Sequence, residues 1–272
     1  MRKNLIINNK RVSWQTHGDL SAALPLVLLH GFCEDAGIWD TLTKHWAELP
    51  LVAIDLPGFG GSEPPEVPGM SAYTEAVVAV LETLSLPKVL LLGHSLGGYV
   101  ALELAAHSPE RLAGLCLFHS HPYEDSPERK EGRRRAIELL RAGKKEAYLK
   151  QLYPGLFAPE FILAHPEILE TLVQSGRSYP VEGIVAALTA MMQRREHLDT
   201  LRNATFPVQF VLGDQDALIP VVQALKAAVL PPTSKIDLMK GVGHMSMLEA
   251  PEKAAEAVRG FYAYVKNTYF LI

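Results

Sequence analysis

Five short runs of this chain are almost continuously apolar: Leu26-Val-Leu-Leu29, Leu51-Val-Ala-Ile54, Val89-Leu-Leu-Leu92, residues 112–118 and residues 208–212. A strand reads this way when both of its faces are covered, as in a parallel sheet packed between helices. Segments of helical pattern at 38–48, 71–85, 96–107, 221–229 and 251–265 alternate with these runs. Such alternation points to an α/β architecture. The start of the chain differs. Leu5-Ile6-Ile7, a turn beginning at Asn8-Asn9 and residues 12–15 read as a β-hairpin, because Asn tolerates the positive φ of a tight turn. With a further strand at 235–239, the expectation is a mostly parallel eight-stranded sheet with helices on both faces.

Residues 120–199 break the alternation. They hold amphipathic helical patterns punctuated by Pro127, Pro154, Pro159, Pro166 and Pro180, with no credible strand. They are expected to form a helical cap inserted into a core made of residues 1–119 and 200–272. The cluster Arg133-Arg134-Arg135 in this segment reads as a solvated helix face.

A chain of 272 residues, 48% hydrophobic and 21% charged, can bury one large core. Its net charge of −4 is spread along the whole sequence, which argues against a nucleic-acid partner. No apolar run approaches the roughly 20 residues of a membrane span. The N-terminal residues lack a signal-peptide pattern, and Cys33 and Cys116 are too few for a disulfide framework. A cytoplasmic protein acting on a small molecule is expected, without membrane association.

The chemistry concentrates in three places. Gly93-His-Ser95-Leu-Gly97 lies between an apolar run and a helical pattern, the context of a sharp turn that presents a serine for attack. Serine needs a base, and the base needs an acid to fix its tautomer. His244 follows the strand at 235–239 in a glycine-flanked loop, and two acids, Asp214 and Asp216, follow the run at 208–212. Either acid can meet the histidine. Backbone N–H groups of Leu96, after the serine, and Phe32, after the run at 26–29, can stabilise an oxyanion. His121, Phe157, Met191 and Met192 are candidates to line a substrate pocket. His119-Ser-His121 has the spacing of a metal-ligand pair, but Tyr123 and Glu124 do not continue a metal-binding pattern, so neither metal nor cofactor is expected.

His30-Gly-Phe, Asp55-Leu-Pro-Gly-Phe-Gly-Gly-Ser62, Gly93-His-Ser-Leu-Gly-Gly98, Gly213-Asp-Gln-Asp216 and Gly243-His244 together resemble the α/β-hydrolase superfamily. The resemblance covers the core segments and thins in the cap. It implies Asp216 as the catalytic acid, and the chain order Ser, Asp, His is that of the fold. It also implies a serine hydrolase that cleaves an ester or thioester of a small, apolar carboxylic acid. Carbon–carbon bond hydrolysis, perhydrolysis, hydroxynitrile cleavage and a ligand-sensing role use the same three residues and stay open.

Overall fold

The computed structural model describes residues 2–269. The Asn8-Asn9 turn has φ of 50° and 59°, and it joins β1 (Arg2–Ile7) antiparallel to β2 (Lys10–His17). Six further strands follow: β3 (Leu26–Leu29), β4 (Leu51–Asp55), β5 (Val89–His94), β6 (Leu112–Phe118), β7 (Val208–Gly213) and β8 (Ser234–Met239). The sheet is ordered β1-β2-β4-β3-β5-β6-β7-β8. Only β2 runs antiparallel to its neighbours, so the sheet is mostly parallel. Every residue of β3 to β7 is buried, as their unbroken apolar character requires of strands covered on both faces.

This order places the site. From β3 the chain moves outward to β4, then returns to the other side of β3 to form β5. The loops after β3 and β5 therefore open on one crevice at the carboxyl ends of adjacent parallel strands, where ligands bind in open α/β sheets.

The expected helix at 38–48 is broken into short pieces, Ala36–Trp39, Asp40–Thr43 and Lys44–Trp46, the outer two being 3-10 turns. Trp39, Leu42 and Trp46 still face inward at helical spacing, and the Trp46 indole donates to the Ala255 carbonyl at 3.1 Å. The inward face that the pattern reports is kept, while the hydrogen bonding is not regular.

Between β6 and β7 the described residues hold helices and no strand: Pro127–Arg141, Lys145–Leu152, Pro159–Ala164, Glu167–Ser178, Val181–Gln193 and Leu198–Arg202. The boundary drawn at residue 199 falls inside the last of these. The two ends of the insertion are tied together. Arg194 donates to Asp125 at 2.7 Å, with both side chains buried, and the His197 N–H donates to the Pro122 carbonyl at 2.7 Å.

Candidate active site

Ser95 sits between β5 and the helix Leu96–His107 with φ 48° and ψ −111°. A non-glycine residue held there costs about 1–3 kcal/mol, which the surroundings must offset. They do so by close packing. A Cβ at Gly93 would strike the Gly97 carbonyl, and one at Gly97 would strike the Leu29 carbonyl, so the turn closes only with glycine at both positions. The Ser95 N–H donates to the Phe118 carbonyl at 3.1 Å, and its own carbonyl accepts from Ser120 Oγ at 2.9 Å. The side chain is thereby presented at the positive end of the following helix.

Asp216 and His244 meet at the ends of β7 and β8. His244 Nδ1 donates to Asp216 Oδ2 at 2.7 Å, while Asp216 Oδ1 accepts from the N–H groups of Leu218 and Ile219 at 2.8 and 2.9 Å. Burial pushes the Asp216 carboxyl up, but the charge of His244 and the bonds from His119 and His244 outweigh it and hold the group well below the usual carboxylate range. His244 Nε2 is buried and has no hydrogen-bond partner among the described residues. It shares the walls of one cavity with Ser95. Asp214, the other candidate acid, is exposed and accepts from the Gly241 N–H at 2.6 Å, so it braces the turn before the histidine.

Four further residues support this centre without having stood out in the sequence. His119, with φ 48°, points Nδ1 at Asp216 Oδ2 at 3.3 Å and Nε2 at Ser246 Oγ at 2.8 Å. Burial pushes it down to about 4 against the pull of Asp216, so it is a neutral donor to the carboxylate. Glu34 accepts from the Gly31 N–H at 2.8 Å and lies 3.0 Å from His94 Nδ1, whose Nε2 faces the His244 carbonyl at 3.0 Å. Glu249 accepts from the N–H groups of Gly243, Met245 and Ala158 and so grips the His244 loop on both sides. His94 adjoins Ser95 and His119 belongs to the His-Ser-His run, but only the fold shows that these residues converge with Glu34 and Glu249.

The N–H groups of Phe32 and Leu96 lie just past β3 and β5, which pair directly with Leu29 opposite Gly93. Among the described residues neither N–H donates to a protein acceptor. His30 has a structural place, accepting at Nε2 from the Leu56 N–H at 2.8 Å.

The cavity that joins Ser95 and His244 has a volume of about 120 Å³. Met191 lines it, together with Tyr99, Tyr148, Leu152, Leu156 and Ile219. Three expected lining residues do not. Phe157 is buried and stacks on Phe161 at 5.8 Å, Met192 packs against the core, and His121 lies against Tyr99 and accepts from the Tyr123 N–H. Arg133, read from the sequence as solvated, turns inward and lines the cavity beside Arg129. Arg134 and Arg135 stay exposed.

His119 and His121 do not converge on a common point. The close set of metal-ligand type among the described residues is instead His119, Asp216 and His244, with one ligand atom from each within 4.8 Å of the others. The facing atoms of this set are hydrogen-bonded to one another, a histidine–carboxylate relay rather than an open coordination shell.

Residues 26–257 match the Alpha/beta hydrolase family. The chain belongs to that family. Among curated relatives, this hydrolase is 30% identical over 249 residues to the dihydrolipoyllysine-residue acetyltransferase component of an acetoin cleaving system from Pseudomonas putida. That match covers 87% of the chain and 63% of the relative, so the chain spans less than two thirds of that protein. It is 29% identical to a pimeloyl-[acyl-carrier protein] methyl ester esterase from Xanthomonas axonopodis pv. citri, over 88% of the chain and 95% of the relative. Among solved structures, a thermophilic esterase from Thermogutta terrifontis superposes with a TM-score of 0.91 at 30% identity, over 98% of this chain and 99% of that one. The hydrolase is thus an enzyme-family member with esterase homologues. None of its described helices is long and apolar enough to cross a membrane.

Proposed function

We propose that this hydrolase cleaves an ester or thioester of a small carboxylic acid through an acyl-enzyme on Ser95. The observation that carries the reading is His244: one ring nitrogen is fixed on Asp216, and the other is buried and unpartnered at the cavity it shares with a conformationally strained Ser95. In apo enzymes the serine–histidine bond often tightens only when substrate arrives.

In the first half-reaction Ser95 Oγ attacks the substrate carbonyl while His244 Nε2 takes its proton. The N–H groups of Phe32 and Leu96 receive the oxyanion. The C–O or C–S bond then breaks, and the leaving alcohol or thiol departs with the proton from His244. Water, deprotonated by the same histidine, attacks the acyl-enzyme and releases the acid. Asp216 stays ionised and holds the imidazole in the tautomer this requires.

Residues 120–199 act as the cap, since Tyr148, Leu152, Leu156 and Met191 supply apolar cavity wall. The small volume of the cavity favours short acyl chains. The esterase relatives support an ester as the bond cut. Two buried, unpaired cysteines fit a reducing cytoplasmic compartment. Hydrolysis of p-nitrophenyl esters of increasing chain length is the test. Ser95→Ala and His244→Ala are each expected to lower kcat roughly 10⁶-fold and Asp216→Asn roughly 10⁴-fold, and Asp214→Asn to lower it little. An Asp214→Asn variant as impaired as Asp216→Asn would move the acid to the other position.

A further inference from the structure

Two arginines, Arg129 and Arg133, stand in the cavity wall among its apolar residues. Arg129 and Arg133 lie four residues apart on Pro127–Arg141, hence on one face of that helix, and both line the cavity. Arg194 stands behind them with its guanidinium 3.9 Å from the centre of the Tyr99 ring, itself part of the wall. Two of the three guanidinium groups share one carboxylate. Asp125 receives Arg133 Nε at 2.5 Å and an Arg194 nitrogen at 2.7 Å. Arg129 donates only to a backbone carbonyl, that of Leu218, reaching from the insertion to the loop that carries Asp216. A second nitrogen of Arg194 is buried without a hydrogen-bond partner among the described residues. Glu34, the cavity's carboxylate, is already engaged by the Gly31 N–H and His94. With Glu34 kept ionised by its donors, three positive charges face two negative ones around the cavity, and the excess is positive. Burial, with the charges of Arg194 and Arg129, pushes His121 beside them down to about 3, so its ring adds no positive charge at neutral pH.

We propose that Arg129 and Arg133 form an anion subsite that binds a carboxylate on the substrate, so that the preferred ester carries a negative charge away from the scissile bond. The proposal rests on the hydrolytic reading of the same cavity and refines it: apolar wall for the carbon chain, guanidinium groups for its charged end. Guanidinium suits this task because its planar donors match a carboxylate and it stays charged at every working pH. An excess of charge partly screened from water attracts an anion more strongly than the same groups on an open surface. Asp125 holds Arg133 in place but leaves Arg129 free to take the ligand.

The test compares esters that differ only in charge. On the acyl side, mono-p-nitrophenyl adipate is paired with p-nitrophenyl hexanoate; on the alcohol side, 3-carboxyphenyl butyrate is paired with phenyl butyrate. The expected result is that in one pair the wild type favours the anionic ester in kcat/KM, and that Arg129→Gln cuts the anionic-to-neutral ratio about tenfold or more. Arg133→Gln should act in the same direction. The pair that responds tells which side of the ester carries the carboxylate. Equal ratios in wild type and both variants, for both pairs, would overturn the subsite.

Calorimetric binding of adipate separates this failure from failure of the hydrolytic reading. Saturable adipate binding that is lost in Arg129→Gln, without turnover of any ester, keeps the subsite and removes the hydrolase assignment. Turnover of the hexanoate ester with no adipate binding and no ratio change does the reverse. Arg129→Gln is suited to both arms because Arg129 is half-buried and its hydrogen bond goes to a backbone carbonyl, so its loss leaves no buried charge unpaired.

Discussion

At the residue scale, Asp216 is surrounded by donors: two backbone N–H groups on one oxygen and two histidines on the other. This saturation keeps the carboxylate ionised and fixes its orientation, which in turn fixes the ring of His244. His119 is the unexpected member. It must remain neutral to donate from Nδ1 while Nε2 accepts from Ser246, and its burial lowers it to about 4. The unfolded chain binds a proton at His119 near pH 6.5, whereas the folded protein does not bind it until about pH 4. Stability from this residue is therefore complete above about pH 6.5 and is lost as pH falls toward 4, by up to about 3 kcal/mol. Thermal melts across that window should show His119→Gln with a flatter pH dependence than wild type; parallel curves would mean that His119 does not titrate this way. Ser95 and His244 stand out in the sequence because each lies in a glycine-marked loop after a strand, whereas Asp214 and Asp216 share one such loop and only the resemblance points to Asp216. His119, Glu34, His94 and Glu249 could not be placed from the sequence, because their partners are 60 or more residues away in three of the four cases. Glu249 is the fourth, and it acts through backbone N–H groups that no sequence pattern marks.

At the scale of elements, the helical insertion is joined to the sheet through two short connections, and the buried Asp125–Arg194 pair pins them side by side. Burial raises the Asp125 carboxyl, but its bonds and proximity to Arg133 and Arg194 hold it below the ordinary carboxylate range. The pair therefore contributes fully above the unfolded carboxylate value of about 3.9 and weakens as pH drops below it. Removing one partner leaves the other charge buried. Asp125→Ala is expected to destabilise the fold by roughly 3–5 kcal/mol, and Arg194→Met added to it should restore part of that loss. Denaturant titration of the single and double variants measures both; a double variant less stable than Asp125→Ala would contradict the view that the stranded arginine is the source of the cost. The strands could be read from their apolar runs with ends within a residue or two, because a buried strand has no other composition open to it. The cavity lining could not. Apolar character shows that Met191, Met192 and Phe157 pack inward, but which of them meets the cavity depends on how six helices dock, and that is settled by contacts distant in sequence.

At the scale of the whole molecule, the doubled-back strand order brings the loops after β3, β5, β7 and β8 to one end of the sheet, where residues of the insertion line the same cavity as Ser95 and His244. Loops at the ends of the strands carry Ser95, Asp216 and His244, while the insertion supplies about half of the cavity wall, including its arginines. The fold followed from the alternation of apolar runs and helical patterns. The charge of the cavity did not, because Arg133 sits in a basic run whose other members remain in solvent. The central claim is that His244 activates Ser95 for covalent chemistry, and intact-protein mass spectrometry after treatment with a fluorophosphonate tests it most directly. One adduct per chain, mapped to Ser95, absent in Ser95→Ala and slowed by orders of magnitude in His244→Ala, is the result expected. An adduct that persists in Ser95→Ala, or a wild-type protein that takes up no label, would contradict it.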